Sequence, residues 1–397
     1  YDLVVIGAGS GGLTAASFGR EAGADVLLVE RDRVGGDCTW TGCVPSKSLL
    51  KAAKVAQQTR MAEKYGITAA DPEVDLEAVM GHVHQIVEEI YAEETPDALR
   101  AQGIDVLIGE ARFVDPHTLA VGDPRNGGER RIRARNVILT TGAHPFVPPI
   151  EGIDAVDPLT SDTIWDLTTL PAHLIVIGAG PIGCELSQAF RRLGAEVTLV
   201  EALDAVLPHD EPEVSALMEE ILSSEGIDVR LEHQAERIFQ HDVGIHVMTS
   251  GGEIAGDALL VAVGRRPNVE GLDLEKAGVA YSPRGIEVDD HLQTAQAHIY
   301  AAGDCTGGYQ FTHYAGWQAR TAVRNALLPG ASKGKREWSP WTTFTEPEVA
   351  HAGLTEEEAR ARHGDGVASV YVPIENVDRA MAERETRGFI KIVHKGR

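Results

Sequence analysis

Long apolar runs are missing from this 397-residue chain. Its apolar stretches, at 3–6, 174–177 and 259–263, have the length of buried strands, far short of the ~20 residues that a membrane-crossing helix needs. Basic charge is also in short supply. Thirty-six Lys and Arg stand against 60 Asp and Glu, a net charge of −24, which argues against nucleic acid or an anionic membrane as partner and favours solubility. Cysteine is scarce too: four are too few for a disulfide scaffold, so a reducing, cytoplasmic setting is expected rather than secretion. The chain lacks an initiator Met and stops within what reads as a strand and its turn, GFIKIVHKGR. Both ends are therefore expected to be missing, and the lack of a targeting signal excludes nothing. What remains is 43% apolar and 24% charged, the balance of a globular protein, at a length that calls for two or three domains.

The strongest positive feature is an internal repeat. VVIGAGSGGLTAASFGREAGADVLLVE at 4–30 returns as IVIGAGPIGCELSQAFRRLGAEVTLVE at 175–201. Gly7, Gly9, Gly12 and Glu30 thereby align with Gly178, Gly180, Gly183 and Glu201. Each copy reads as strand, G-x-G-x-x-G turn, helix, second strand and terminal acid. The first glycine makes the tight turn, the second lets backbone approach a pyrophosphate, and the third lets helix pack on strand. The helix N-terminus then faces the phosphates, and the acid accepts hydrogen bonds from a ribose hydroxyl. A lone GxGxxG can be a glycine loop that binds nothing; two copies, each in the full order, predict two dinucleotide sites.

Between and after these units, 106–147 reads as short strands and hairpin turns, and Pro145, Pro148 and Pro149 mark a crossing between domains. Residues 46–66 and 76–102 read as helical, the latter exposed and acidic in its middle. A composition shift at 333–340 suggests a linker into a further domain beginning WTTFTEPEVAHAGLTEEEAR.

Cys38 and Cys43 are separated by four residues in GGDCTWTGCVPSK. A disulfide closing so short a loop gains only ~2 kcal/mol, a poor staple but an easy bond to open and close. Pro45 belongs in the first turn of a helix, which places Cys43 at the helix N-terminus, where dipole and free N–H groups favour the reactive thiolate. Two buried, reduced cysteines are the alternative reading; a metal site fits less well, because paired C-x2-C spacing and nearby His are absent. Cys184 and Cys305 read as small core residues.

Taken together, the first unit, GGDCTWTGCVPSK, Thr140-Thr141-Gly142, the second unit, VGRRPN at 263–268, IYAAGD at 299–304 and FTEPEVAHAGLTEEEA resemble the pyridine nucleotide–disulfide oxidoreductase family along nearly the whole chain. The resemblance implies an α/β fold: two Rossmann-like domains, for FAD and NAD, plus an α+β dimerisation domain, incomplete here. The expected division is 1–148 (FAD), 149–268 (NAD(P)), 269–338 (FAD and central) and 339–397 (dimerisation). It implies FAD at Gly7, Gly9, Gly12, Glu30, Gly36, Thr141, Gly142, Asp304 and the helix that begins near His313, Tyr314 and Ala315, with its N-terminus toward the flavin. His313 and Tyr314 themselves are given no chemistry. It further implies Cys43 beside the flavin, Cys38 as the outer thiol that attacks substrate, and Lys47 near the flavin paired with Glu185. Without the resemblance, Lys47 reads as a solvated helix lysine and Glu185 as a satisfied helix carboxylate. NAD(H) would lie on Gly178, Gly180, Gly183, Glu201 and Gly264. Glu201 should repel a 2′-phosphate, and Arg191 and Arg192 are ill placed to reverse this, so NADH is expected over NADPH.

The family's acid/base pair, His-Pro followed by Glu, has no counterpart here; His351, His363 and His394 stand in other contexts. Asp37, Trp40, QFTHYAGWQA at 310–319 and VDRAMAERETRGFIKIV at 377–393 look closest to mercuric reductase-like members, whereas Glu201 is the choice of dihydrolipoamide dehydrogenase. The expected activity is electron transfer from NAD(P)H through FAD to the cysteine pair and on to a small disulfide or Hg(II)–thiol substrate in a homodimer. Dihydrolipoamide dehydrogenase is the runner-up. An NADH-responsive flavoprotein sensor or scaffold is the reading from another class, and it leaves the cysteine pair without a purpose.

Overall fold

The computed structural model describes residues 1–122, 127–241 and 244–396. Its two organising sheets are parallel. The first runs in the order Ile299–Ala301, Asn136–Leu139, Leu3–Ile6, Val26–Glu30, Asp105–Ile108. The second runs Asp228–Arg230, Glu196–Val200, His173–Ile177, Ala258–Val261. Their central strands are buried along their length, and so read as continuous apolar runs rather than alternating ones. The repeat extends to register: Leu3 faces Val26, and Leu174 faces Val197.

The prediction for 106–147 holds in part. Ala111–Asp115, Thr118–Gly122 and Glu129–Arg133 form an antiparallel meander, but the flanking strands Asp105–Ile108 and Asn136–Leu139 belong to the first parallel sheet. A second meander, Ala235–His241, Gly244–Thr249 and Gly252–Gly256, accompanies the second sheet. The chain crosses between the sheets where Ala143–Pro145 pairs antiparallel with Arg265–Pro267.

Two helical expectations need correction. The stretch 76–102 is two helices, Leu76–Tyr91 and Pro96–Ala101, because Pro96 cannot continue a helix and starts a new one instead, with Thr95 capping Ala98 N–H. Nor is the first of these exposed all round: Leu76, Met80, Val83 and Val87 form a buried stripe at helical spacing. The stretch 46–66 is the helix Cys43–Arg60 followed by a 3-10 turn, Ala62–Tyr65. Residues 333–340 carry no regular element, and beyond them lie the strand pairs Trp341–Thr343 with Val349–His351 and Val367–Pro373 with Phe389–Lys395. The helix Glu356–His363 between the two pairs carries a full capping box.

Four helices meet around the cysteine turn. Ser10–Glu21 packs against Thr312–Leu327, and Cys43–Arg60 packs against Pro181–Leu193. This packing brings together segments that lie far apart in sequence.

Candidate active site

Each nucleotide unit builds the same cradle. Gly7 and Gly178 turn at φ +98° and +104°, where a side chain is strained. A Cβ on Gly12 or Gly183 would come within 1.8 Å of the carbonyl oxygen of Gly7 or Gly178. The helices Ser10–Glu21 and Pro181–Leu193 start after glycine, with no side chain capping their first turn. By contrast, Asp75, Thr95 and Thr355 cap the helices that follow them. Uncapped N–H groups are what an anionic ligand satisfies.

The terminal acids match atom for atom. Glu30 accepts from Ala8 N (2.7 Å) and Asp32 N (3.0 Å); Glu201 accepts from Ala179 N (2.7 Å) and Leu203 N (3.0 Å). Each carboxylate oxygen thus holds one backbone N–H and keeps lone pairs for a ribose diol. Arg191 and Arg192 are tied elsewhere: Arg191 donates to the carbonyls of Glu225 (2.9 Å) and Ala195 (3.2 Å), and Arg192 to the Glu225 carboxylate (2.7 and 2.8 Å).

The units differ in their surroundings. Gly36 lies against Gly9, so that a Cβ on Gly36 would sit 2.6 Å from the Gly9 Cα, whereas a Cβ on Gly180 would meet nothing within 4 Å. The short helix Gly36–Trp40 therefore closes over the first cradle and presents Cys38 beside it.

All four cysteines are unlinked. Cys184 and Cys305 are fully buried, their thiols donating to Ala179 O (3.3 Å) and Ala302 O (3.3 Å), in keeping with core roles. Cys43 is the first residue of the helix Cys43–Arg60 and lies within hydrogen-bond reach of Cys38. The pair shares its proton unequally. The bond from Cys38, then the Thr312 hydroxyl and the Lys47 charge, bring Cys43 down to about 6 against the opposing effect of burial. Cys38 is pushed far up, by that same bond and by burial. These contacts favour ionisation of Cys43 over that of Cys38.

Lys47, one turn along the same helix, donates to Glu185 at 3.0 Å, so these two meet although neither demands it in sequence. Phe344 holds both: its N–H donates to the other Glu185 oxygen (2.8 Å), and its ring lies 4.2 Å from the Lys47 ammonium. The other side of the turn is fixed by Arg265, which donates to the Asp37 carboxylate and to Ala143 O (2.9 Å), and by Trp165, whose indole N–H donates to Thr41 O (3.0 Å).

Thr141 and Gly142 bind Asn268 through Thr141 Oγ1 to Asn268 O (2.6 Å) and Asn268 N to Gly142 O (2.9 Å). Gly264 sits at φ +126° just before Arg265, with nothing within 4 Å of an added Cβ. Asp304 follows the strand Ile299–Ala301, and burial pushes its carboxyl up to about 6. Ala315 lies in the first turn of Thr312–Leu327, against Gly303. His313 bonds Pro340 O (2.7 Å) and Tyr314 is buried, so both pack as ordinary structural residues.

The glycine cradle, the uncapped helix, Glu30 and the buried Asp304 carboxyl suit an adenine dinucleotide. The residues present therefore fit FAD in the first unit and a nicotinamide dinucleotide in the second. Sequence reasoning gave no role to Thr312, Arg265, Trp165 or Phe344; the first two and Phe344 lie within the quoted motifs QFTHYAGWQA, VGRRPN and FTEPEVAHAG, but each acts through a contact across more than a hundred residues that no motif spells out.

Comparison with known proteins agrees with this geometry. The family described as pyridine nucleotide-disulphide oxidoreductase matches residues 1–319, and its dimerisation domain matches 339–397. The chain is 38% identical to a mercuric reductase of Lysinibacillus sphaericus, across 99% of this chain and 72% of that protein. It is 32% identical to a dihydrolipoyl dehydrogenase of Bacillus subtilis, across 98% of this chain and 85% of that protein. Among solved structures, the HOCl-induced flavoprotein disulfide reductase RclA from Escherichia coli superposes with a TM-score of 0.86 at 31% identity, covering 100% of this chain and 87% of that one. LpdA from Mycobacterium tuberculosis gives 0.90 at 28% identity, with 100% and 87% covered.

Proposed function

Because the chain belongs to the pyridine nucleotide-disulphide oxidoreductase family, an FAD-dependent family that uses pyridine nucleotides, we propose that it is an NADH-dependent disulfide reductase of the mercuric reductase-like branch, acting on a small disulfide or an Hg(II)–thiol substrate. The observation that carries this reading is the Cys38–Cys43 pair, held within hydrogen-bond reach of one another at a helix start beside the first nucleotide cradle.

Each group then has a task. Gly7, Gly9, Gly12, Gly36, Glu30, Thr141, Gly142, Asp304 and the start of the Thr312–Leu327 helix hold FAD. Gly178, Gly180, Gly183, Glu201 and Gly264 hold NAD(H), and Lys47 with Glu185 keeps a fixed charge pair one turn from Cys43. FAD, when bound, supplies the two-electron relay that returns the cysteine pair to its dithiol form from reduced nicotinamide.

The cysteines carry the exchange with substrate. Cys43 takes the proton of Cys38, and the Cys38 thiolate attacks one sulfur of a substrate disulfide; a Cys38–substrate bond forms, the substrate S–S bond breaks, and the first thiolate leaves. Cys43, having passed its proton to that leaving thiolate, attacks the Cys38 sulfur; the Cys38–Cys43 disulfide forms and the second substrate thiolate departs to be protonated. The substrate disulfide is reduced to two thiols and the dithiol is oxidised to a disulfide.

The mercuric reductase relatives and Asp37 and Trp40 support the Hg(II)–thiol substrate; Glu201, with its two backbone bonds, supports NADH. Glu201 also favours the second reading, dihydrolipoamide dehydrogenase. The division at 148, 268 and 338, a cytoplasmic homodimer joined through 339–397, and the assignment of site roles belong to the same proposal. Parallel turnover assays with NADH and NADPH against Hg(II)–thiolate, lipoamide and glutathione disulfide test it. Oxidation of NADH by the Hg(II)–thiolate, with a higher kcat/KM than for NADPH, is the expected result. Flavin-loaded protein that passes electrons to none of the three would end this reading.

A further inference from the structure

At alternate residues the cysteine turn is bonded to three distant segments, and the exchange described above uses none of these bonds. Arg265, on the strand Arg265–Pro267, donates to the Asp37 carboxylate and is itself fixed by Ala143 O (2.9 Å) and Ser161 Oγ (3.3 Å). Thr39 donates from a buried hydroxyl to Glu94 (2.8 Å), which lies between the helices Leu76–Tyr91 and Pro96–Ala101. The Thr41 carbonyl accepts from the buried Trp165, whose indole N–H is shared with Ser161 O (2.7 Å). Trp40 is held as well, its N–H on Val34 O (2.8 Å) and its ring 4.8 Å from that of Tyr91. The partners of residues 37, 39 and 41 stand 228, 55 and 124 residues away. Inside this frame the two sulfurs are already within hydrogen-bond reach of each other.

We propose that Asp37, Thr39 and Thr41 are positioning residues: bonded to Arg265, Glu94 and Trp165, they hold the turn in the shape that closes the Cys38–Cys43 disulfide, and so make the dithiol a stronger reductant than the same turn unbraced. Joining two thiols costs the chain freedom that kept them apart. A turn pinned at three points has lost that freedom on folding, before any bond forms between the sulfurs. The sulfurs then meet at high effective concentration, the equilibrium moves toward the disulfide, and the pair gives up its two electrons more readily. Spacing alone supplies no such bias, because a loose segment of six residues samples many shapes in which its ends do not touch.

This inference rests on the proposed exchange for its part in turnover, but its test needs neither nicotinamide nor acceptor. Flavin-loaded protein is equilibrated anaerobically with dithiothreitol and oxidised dithiothreitol at a series of ratios and trapped with N-ethylmaleimide. Mass spectrometry then counts the free thiols at Cys38 and Cys43. In this exchange the protein dithiol loses two electrons and two protons to the reagent; the Cys38–Cys43 bond forms as the reagent's S–S bond breaks. The quantity read is the ratio of reduced to oxidised reagent at which half of the pair is reduced. Asp37→Ala should lower that ratio about tenfold, a rise of ~30 mV in potential. Asp37→Asn, which keeps an acceptor for Arg265, should fall between Asp37→Ala and the parent. Trp165→Phe and Thr39→Val each remove one hydrogen bond without changing charge, and each should lower the ratio about threefold. A ratio unmoved in every variant would overturn the proposal, and so would one that rises, since the contacts would then strain the disulfide. A fall confined to Asp37→Ala would overturn it too, because lost charge beside Cys38 would explain that without a brace. Loss of flavin from Asp37→Ala, Trp165→Phe and Thr39→Val alike would make these contacts structural and end the proposal as well.

Discussion

The two nucleotide units share strand register, glycine turns and the bonds of their terminal glutamates, yet their mouths differ. Gly9 is covered by Gly36 and the cysteine turn behind it; Gly180 faces open space. One motif therefore makes two kinds of site. The first is walled by the chain's own redox segment, as suits a resident cofactor. The second is open, as suits a cosubstrate that must arrive and leave on every turnover. The lesson is that one GxGxxG turn builds the same glycine cradle twice, and what packs against its second glycine sets how open each cradle is.

The sharpest way to break this comparison is to remove the feature that only the first unit has. Cys43→Ser should lower acceptor turnover by about a thousandfold or more while both nucleotides still bind. Retained turnover in a steady-state assay would detach the cysteine turn from the chemistry. Next come the buried glycines. Gly12→Ala and Gly183→Ala each force a Cβ onto a carbonyl oxygen 1.8 Å away and should each cost about 1–3 kcal/mol. The first should purify with less flavin; the second should keep its flavin but show a raised KM for NADH. Equal loss of flavin in both would erase the distinction between resident and exchanging sites.

Glu201→Ala should narrow the preference for NADH over NADPH by about tenfold, read as the ratio of the two kcat/KM values, and Glu30→Ala should leave that ratio alone. Acid should act through the first unit only. Cys43, held at about 6, is thiolate above that pH and loses its charge as pH falls through it. Acceptor turnover should accordingly drop about tenfold per pH unit below the midpoint, with NADH affinity much less affected. The smallest effect is expected at the open mouth. Gly180→Ala places its methyl in free space, so it should change thermal stability by under ~1 kcal/mol. Gly36→Ala, at φ +59° and 2.6 Å from Gly9, should cost about 1–3 kcal/mol. A thermal melt of the pair reads the difference directly.

Much of this was legible in order and spacing. The strand, turn, helix and acid of each unit lie within 27 residues, so the cradles are readable from local geometry; Cys38 and Cys43 lie within six, but their redox role came from the family resemblance. Pro45 marked the start of the cysteine helix, and Pro96 could have marked the break in 76–102 had the capping Thr95 before it been weighed. The pairing of Lys47 with Glu185 came from family resemblance, since helix periodicity places each on a helix but does not say which helices meet.

The sequence by itself marked the two cradles, the close spacing of the cysteines and the helix start at Cys43, because each depends on neighbours a few bonds or one helical turn away. Tertiary structure decided which group stands beside Cys43, through Thr312 at 269 residues' distance, and which groups brace the turn, through Arg265 on Asp37 at 228. Such contacts exist only after helices and sheets have packed. Side-chain periodicity reports that a residue faces inward; it carries no information about which distant segment will be waiting there.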